Sequence, residues 1–182
     1  MIIGLTGLPG SGKSTAAQIL QGMGFEISEL SSTIKEMMAE KKMEITPSSI
    51  IEFSLLMKRE FGADVFAKIK AKQLKGHLGN IAIVGFRSNG EVNAIRSELD
   101  SKLIMVAIVA GDEMRYGRLH DRKEFNVKNR EDFKLRDEKN ILMGIKETID
   151  SADYIISNSG TLEELKSSIE QVIEGIQEKA KG

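Results

Sequence analysis

The stretch GLPGSGKST, Gly7 to Thr15, constrains this chain more than any other. It fits G-x-x-x-x-G-K-[ST], follows the apolar run IIGLT and precedes a segment with helical periodicity. That setting is the one in which such a loop can act as a phosphate cradle. The glycines let the backbone curl with its N–H groups turned inward, and the positive end of the following helix adds to the anion site. The assigned loop comprises Gly7, Leu8, Pro9, Gly10, Ser11, Gly12, Lys13, Ser14 and Thr15. Lys13 is expected to reach the β- and γ-phosphates of ATP, and the Ser14 hydroxyl to ligate Mg²⁺. A chance glycine-rich turn with a solvent-facing lysine would need four fixed positions and the flanking strand and helix to coincide.

A strand–loop–helix opening implies an α/β architecture if the pattern continues, and it does. Short segments at Ile2 to Thr6, Phe25 to Ser28, Ile81 to Val84, Leu103 to Val109 and Tyr154 to Ser157 read as strands. The first, third and fourth are near-continuous apolar runs, as in parallel strands covered on both faces. Helical patterns fill the gaps at about 13–23, 31–42, 47–60, 63–76, 90–98, 112–123, 129–144 and 161–179. Alternation of this kind predicts a parallel sheet wrapped by helices. The 182 residues are read as one domain, with no repeat or linker.

Composition narrows the chemistry. The 26 basic and 27 acidic residues are interspersed, so no basic block points to nucleic acid. Cysteine is absent and histidine occurs twice, which removes disulfides, thiol chemistry and cysteine-based zinc sites. No basic leader precedes the first strand, and the longest apolar run, LIMVAIVAG, is too short to span a bilayer. The expectation is a soluble, cytoplasmic protein whose partners are small-molecule nucleotides.

The signatures D-x-x-G, N-K-x-D and LSGGQ do not occur, so GTPase and ABC-type readings fall away. Arg115, Arg118 and Arg122 recur at intervals of three and four on one helical face, and Arg130 and Arg136 follow. As a cluster after the fourth strand they suit a lid, at about 115–136, that clamps a transferring phosphoryl group. Each taken singly suits a solvated face better.

Over nearly its full length the chain resembles small nucleotide kinases of the phosphate-loop class. It is similar in layout to adenylate kinase, and more so to an archaeal adenylate-kinase-related family. IIGLTGLPGSGKST and ADYIISNSGTLEEL also resemble the ends of dephospho-CoA kinase. The resemblance implies the nucleoside-monophosphate-kinase fold, with five parallel strands in the order 2-3-1-4-5. It also implies a helical acceptor-binding insertion at about 31–76, to which KREFGADVFA belongs, and the short lid.

Residue by residue, the resemblance assigns Lys35 of LSSTIKE and Arg87 of VGFRS to the acceptor phosphate. It assigns Arg118 and Arg122 to the lid, and Arg136 with Asp137 to an arginine–acid pair behind it. Asn158, Gly160 and Thr161 fall in the loop beside the adenine ring. Thr161 and Glu164 also form a T-x-x-E capping box, which accounts for both through helix physics alone.

Two positions depart from the family pattern. Val84 stands where an aspartate usually helps to hold Mg²⁺, and Ser32 stands where an acceptor-side aspartate is usual. A hydroxyl acceptor needs a carboxylate base. A monophosphate is already ionised near neutrality and needs cations instead. The missing carboxylates therefore favour AMP or a similar monophosphate. Two other readings stay open: a dephospho-CoA kinase-like hydroxyl kinase, with Glu29 as the candidate base, and a nucleotide-binding protein with little turnover.

Overall fold

The computed structural model describes residues 1–99, 102–122 and 127–180. The strands are β1 (Ile2–Thr6), β2 (Glu26–Glu29), β3 (Ile81–Phe86), β4 (Leu103–Val109) and β5 (Tyr154–Ser157). They form one parallel sheet in the order β2-β3-β1-β4-β5. The central strand β1 is buried along its whole length and aligns Ile2 with both Ile81 and Leu103. Strands this apolar can only be covered on both faces, and two helical layers cover them.

On one face, α1 (Lys13–Gly22) and α9 (Leu162–Lys179) pack on the sheet. Leu20, Leu165, Ile169 and Ile173 meet Ile3, Leu5, Val106, Ile108 and Ile156 there. On the other, α4 (Val65–Leu74) and α5 (Asn89–Glu98) lay Ala67, Ala71, Val92 and Ile95 against Ile2, Ile81, Ile83, Phe86 and Met105. A separate apolar cluster holds α2 (Ser32–Glu40) and α3 (Pro47–Phe61) to α4 through Met38, Phe53, Val65 and Phe66. The last cluster joins α6 (Asp112–Asp121) to α7 (Arg130–Leu142) through Leu119, Val127 and Phe133.

The five expected strands are all present in the expected order. β2 sits one residue later than its apolar pattern suggests, and β3 runs on through Gly85 to Phe86. The register slips between Leu5 and Thr6 opposite Gly85, and the Thr6 hydroxyl donates to the Phe86 carbonyl at 2.9 Å. Gly85 is left out of the ladder while Phe86 pairs with Thr6, and Arg87 follows at the C-terminal edge of the sheet, where ligands of open α/β folds bind.

The helix expected over 129–144 is present as α7, and a short helix that the sequence pattern did not announce follows it. α7 ends at Leu142, and α8 (Ile145–Asp150) starts after Gly144, whose φ of +93° suits glycine. Ile145, the first residue of α8, is buried. α6 ends at Asp121, and the part of the expected lid at 123–126 lies outside the described residues.

Candidate functional site

A cavity of about 530 Å³ opens at the C-terminal edge of the sheet, within the usual size for a small-molecule site. Its floor is the phosphate loop, contributed by Gly7, Pro9, Gly10, Gly12, Lys13, Ser14 and Thr15. Its walls are Gly85, Phe86 and Arg87 after β3, Arg118 and Arg122 of the α6 region, and Arg136 and Asn140 of α7. Ile145, Asn158, Gly160, Leu162 and Leu165 close it. Five cationic side chains line it: Lys13, Arg87, Arg118, Arg122 and Arg136. No carboxylate does so among the described residues.

The loop takes this shape because its backbone is claimed at specific points. Ser11 N–H donates to the Leu8 carbonyl at 3.2 Å, closing the turn. Lys13 Nζ donates to the Gly7 and Leu8 carbonyls at 2.7 and 3.0 Å, folding its side chain over the loop. α1 begins at Lys13 with no side-chain cap, so the first amides of the helix are left to an anion.

Burial, then the repulsion of Arg87, Arg115 and Arg136, push the Lys13 ammonium down to about 8. Burial followed by Arg122 lowers the Arg118 guanidinium, and burial followed by Arg87 lowers that of Arg136. Such crowding of like charge is relieved when an anion enters.

Asn158 does not present its side chain as a base contact. It is buried, and its Nδ2 donates to the Ser11 carbonyl at 2.8 Å, while its backbone N–H donates to the Val109 carbonyl. It braces the phosphate loop from β5. Arg118 does similar work from α6, donating to the Gly10, Ser11 and Asn158 carbonyls at 3.3, 3.4 and 3.0 Å. Thr161 caps α9, accepting from Glu164 N–H while Glu164 accepts from Thr161 N–H, and it does not line the cavity. Gly160 and Leu162 on either side of it do.

The acceptor-side residues fare differently. Arg87 stands in the cavity wall, whereas Ser32 and Lys35 do not line it. Lys35 is exposed on α2. The Ser32 hydroxyl lies 2.7 Å from the Glu36 carboxylate and receives a bond from the buried Lys70 at 3.3 Å. Arg115 shares a helical face with Arg118 and Arg122, yet its side chain is 1% exposed and it does not line the cavity. It is bound to Pro9, Asp112 and Asp137 instead. Sequence reasoning overlooked Asn140, which is buried in the cavity wall with Nδ2 on the Arg136 carbonyl.

A family model described as an AAA domain matches residues 3–139. A UPF0200 protein of Pyrococcus furiosus is 34% identical over 95% of this chain and 96% of its own. The chain belongs to the AAA domain family and to the UPF0200 proteins. Among solved structures, the Thermus thermophilus protein TT1252 superposes with a TM-score of 0.67 at 19% identity, covering 96% of this chain and 97% of that one. A shikimate kinase from Acinetobacter baumannii, in complex with shikimate, gives 0.60 at 15% identity over 98% and 93%. The fold of this UPF0200 member is therefore that of the phosphate-loop kinases. None of its helices, among the described residues, is long and apolar enough to cross a membrane.

Proposed function

We propose that this protein transfers a phosphoryl group from ATP to a small phosphate-bearing acceptor, AMP or a similar nucleoside monophosphate. The observation that carries the reading is the cavity's charge: five cations and, among the described residues, no acid. A wall of donors suits two anionic phosphates brought together. It offers no base for deprotonating a hydroxyl, and a monophosphate oxygen requires none.

The triphosphate would lie on Gly7–Thr15 with Lys13 at its β- and γ-groups, and the base would lie against Gly160 and Leu162. Arg87 would hold the acceptor phosphate. Arg118, Arg122 and Arg136 would meet the charge that spreads over the transferring group. The donor set gives Mg²⁺ one protein ligand, Ser14, so phosphate oxygens and water would complete its shell. When bound, that metal would supply charge neutralisation on the phosphates. Transfer then rests on positioning, with no covalent intermediate.

A hydroxyl acceptor is the second reading, because Glu29 ends β2 directly beside Val84 at the same edge of the sheet. Incubation with ATP and Mg²⁺, with AMP or dephospho-CoA as acceptor and product resolved by chromatography, separates the readings. ADP formation that depends on AMP supports a monophosphate acceptor. Phosphorylation of dephospho-CoA with AMP inert would move the base role to Glu29. Tight ATP binding without transfer to either would make the protein a nucleotide binder.

A further inference from the structure

Arg115 is the largest fully buried side chain among the described residues, and it is a charged one. A guanidinium withdrawn from water this completely must be repaid by partners, and its partners come from three separate elements. Nη1 donates to the Pro9 carbonyl at 3.1 Å, at the crest of the phosphate loop. The same nitrogen donates to Asp137 Oδ1 of α7 at 2.9 Å, and Nη2 donates to Asp137 Oδ2. Nη2 also donates to Asp112 of its own helix at 2.8 Å. The guanidinium lies 4.8 Å from the centre of the Phe133 ring, again on α7.

The backbone is in contact as well as the side chain. Gly10 has φ +77°, and a Cβ there would stand 2.7 Å from the Arg115 carbonyl and 3.1 Å from its Cα. The phosphate loop is thus seated on α6 itself. Asp137, with 13% of its side chain exposed, completes the bidentate pair and is adjacent in sequence to Arg136. Neighbouring helix positions point about 100° apart, so one residue can be anchored inward while the next faces the cavity.

We propose that Arg115 and Asp137 are positioning residues: their buried pair locks α7 to the crest of the phosphate loop and so fixes where Arg136 stands in the cavity. The pair also has an electrostatic function. Arg115 occupies both oxygens of Asp137. Without Arg115, the carboxylate would be left uncompensated beside Arg136 and would tend to neutralise it. The lock itself is a matter of loop geometry; only its consequence for transfer rests on the proposed function.

The test is a double-mutant cycle on the full chain, with ATP as the probe, reading affinity, transfer to AMP and melting temperature. Arg115→Lys keeps a charge but cannot span three partners. Asp137→Asn removes the carboxylate at nearly constant shape. If the pair positions Arg136, each variant weakens ATP binding or transfer about tenfold or more in the parent, and has little further effect once Arg136→Ala is present. A merely structural role predicts a lower melting temperature with effects that add to those of Arg136→Ala, and that result overturns the proposal.

A second readout needs no nucleotide. In amide NMR spectra of the unliganded protein, Asp137→Asn should displace the signals of the loop around Gly10 together with those around Arg136, because the pair joins α7 to the loop. A parent that fails to bind ATP while these signals move together would sink the functional reading and leave the lock standing. Loop signals unmoved by Asp137→Asn would overturn the lock.

Discussion

Around the phosphate loop, three side chains from two distant parts of the sequence converge on a few backbone carbonyls: Asn158 on Ser11, and from α6 Arg118 on Gly10 and Ser11 and Arg115 on Pro9. The α2–α4 insertion is organised the other way. Lys70, Ser32, Glu36 and Gln73 are bonded to one another, and Ser32 also donates to the Glu29 carbonyl of β2 at 2.8 Å. Lys35 faces solvent, and Ile51, Leu55 and Phe61 of α3 are each at least 60% exposed. On the proposed reading the donor half is assembled in advance, whereas the acceptor half has a core of its own and does not bring Ser32 or Lys35 to the cavity.

The contrast is open to four tests, and the largest effect should come from Lys13. Lys13→Met should weaken ATP binding by about a hundredfold or more, since a part-buried charge-assisted contact is lost. The unliganded protein should nevertheless become more stable. Folded Lys13 holds its proton less tightly than the unfolded chain does, because its pKa falls from 10.5 to about 8. The unfolded state therefore binds more protons between those values, and stability rises with pH across that window. Below it, the charge costs the fold on the order of 3 kcal/mol. Removing it, less two hydrogen bonds, should leave a net gain of about 1–2 kcal/mol at neutral pH. A melting temperature lowered by Lys13→Met would refute the idea that the donor half is held under like-charge repulsion.

Asn158→Ala should come next. It leaves the buried Ser11 carbonyl without its amide partner, a loss of about 1–3 kcal/mol in stability. ATP affinity should fall with it, because the loop loses its brace from β5. Full stability with weakened affinity would make Asn158 a ligand contact instead.

Lys35→Ala sharpens the other side of the comparison. If the insertion closes over the acceptor, AMP binding should weaken about three- to tenfold while ATP binding is unchanged, measured by calorimetry with each nucleotide alone. No change for AMP would leave Arg87 to grip the acceptor phosphate without help from α2. The smallest effect belongs to Thr161→Ala, which should cost about 1 kcal/mol through loss of the α9 cap. Its ATP affinity should match the parent's, and a marked loss would restore Thr161 to the base-binding loop.

What was legible in the sequence follows the same divide. The strands and the phosphate loop could be read because apolar runs and glycine spacing are local, and each local signal agrees with the fold; the order of the strands came from the resemblance to nucleotide kinases. The break between α7 and α8 was hidden because glycine near a helix end reads as a stop, and nothing local announces a second short helix. The three- and four-residue spacing of Arg115, Arg118 and Arg122 was visible, but their fates were not. Periodicity places residues on a face, and Asp137, 22 positions away, decides which of the three is buried. Ser32 and Lys35 could be matched to a pattern, but whether they reach the cavity depends on how the insertion stands relative to the sheet.

The cavity wall has a practical consequence for anyone working with this protein. A concave surface carrying five cations and no acid among the described residues behaves as an anion exchanger in miniature. It will select for charge density before it selects for a base, and inorganic phosphate, sulfate and pyrophosphate will all compete for the loop. Affinities measured in phosphate or sulfate buffers will then report displacement of the buffer ion as much as attraction of the nucleotide. Raising chloride should weaken small anions and nucleotides together, leaving their ranking to the apolar contacts of Leu162 and Ile145.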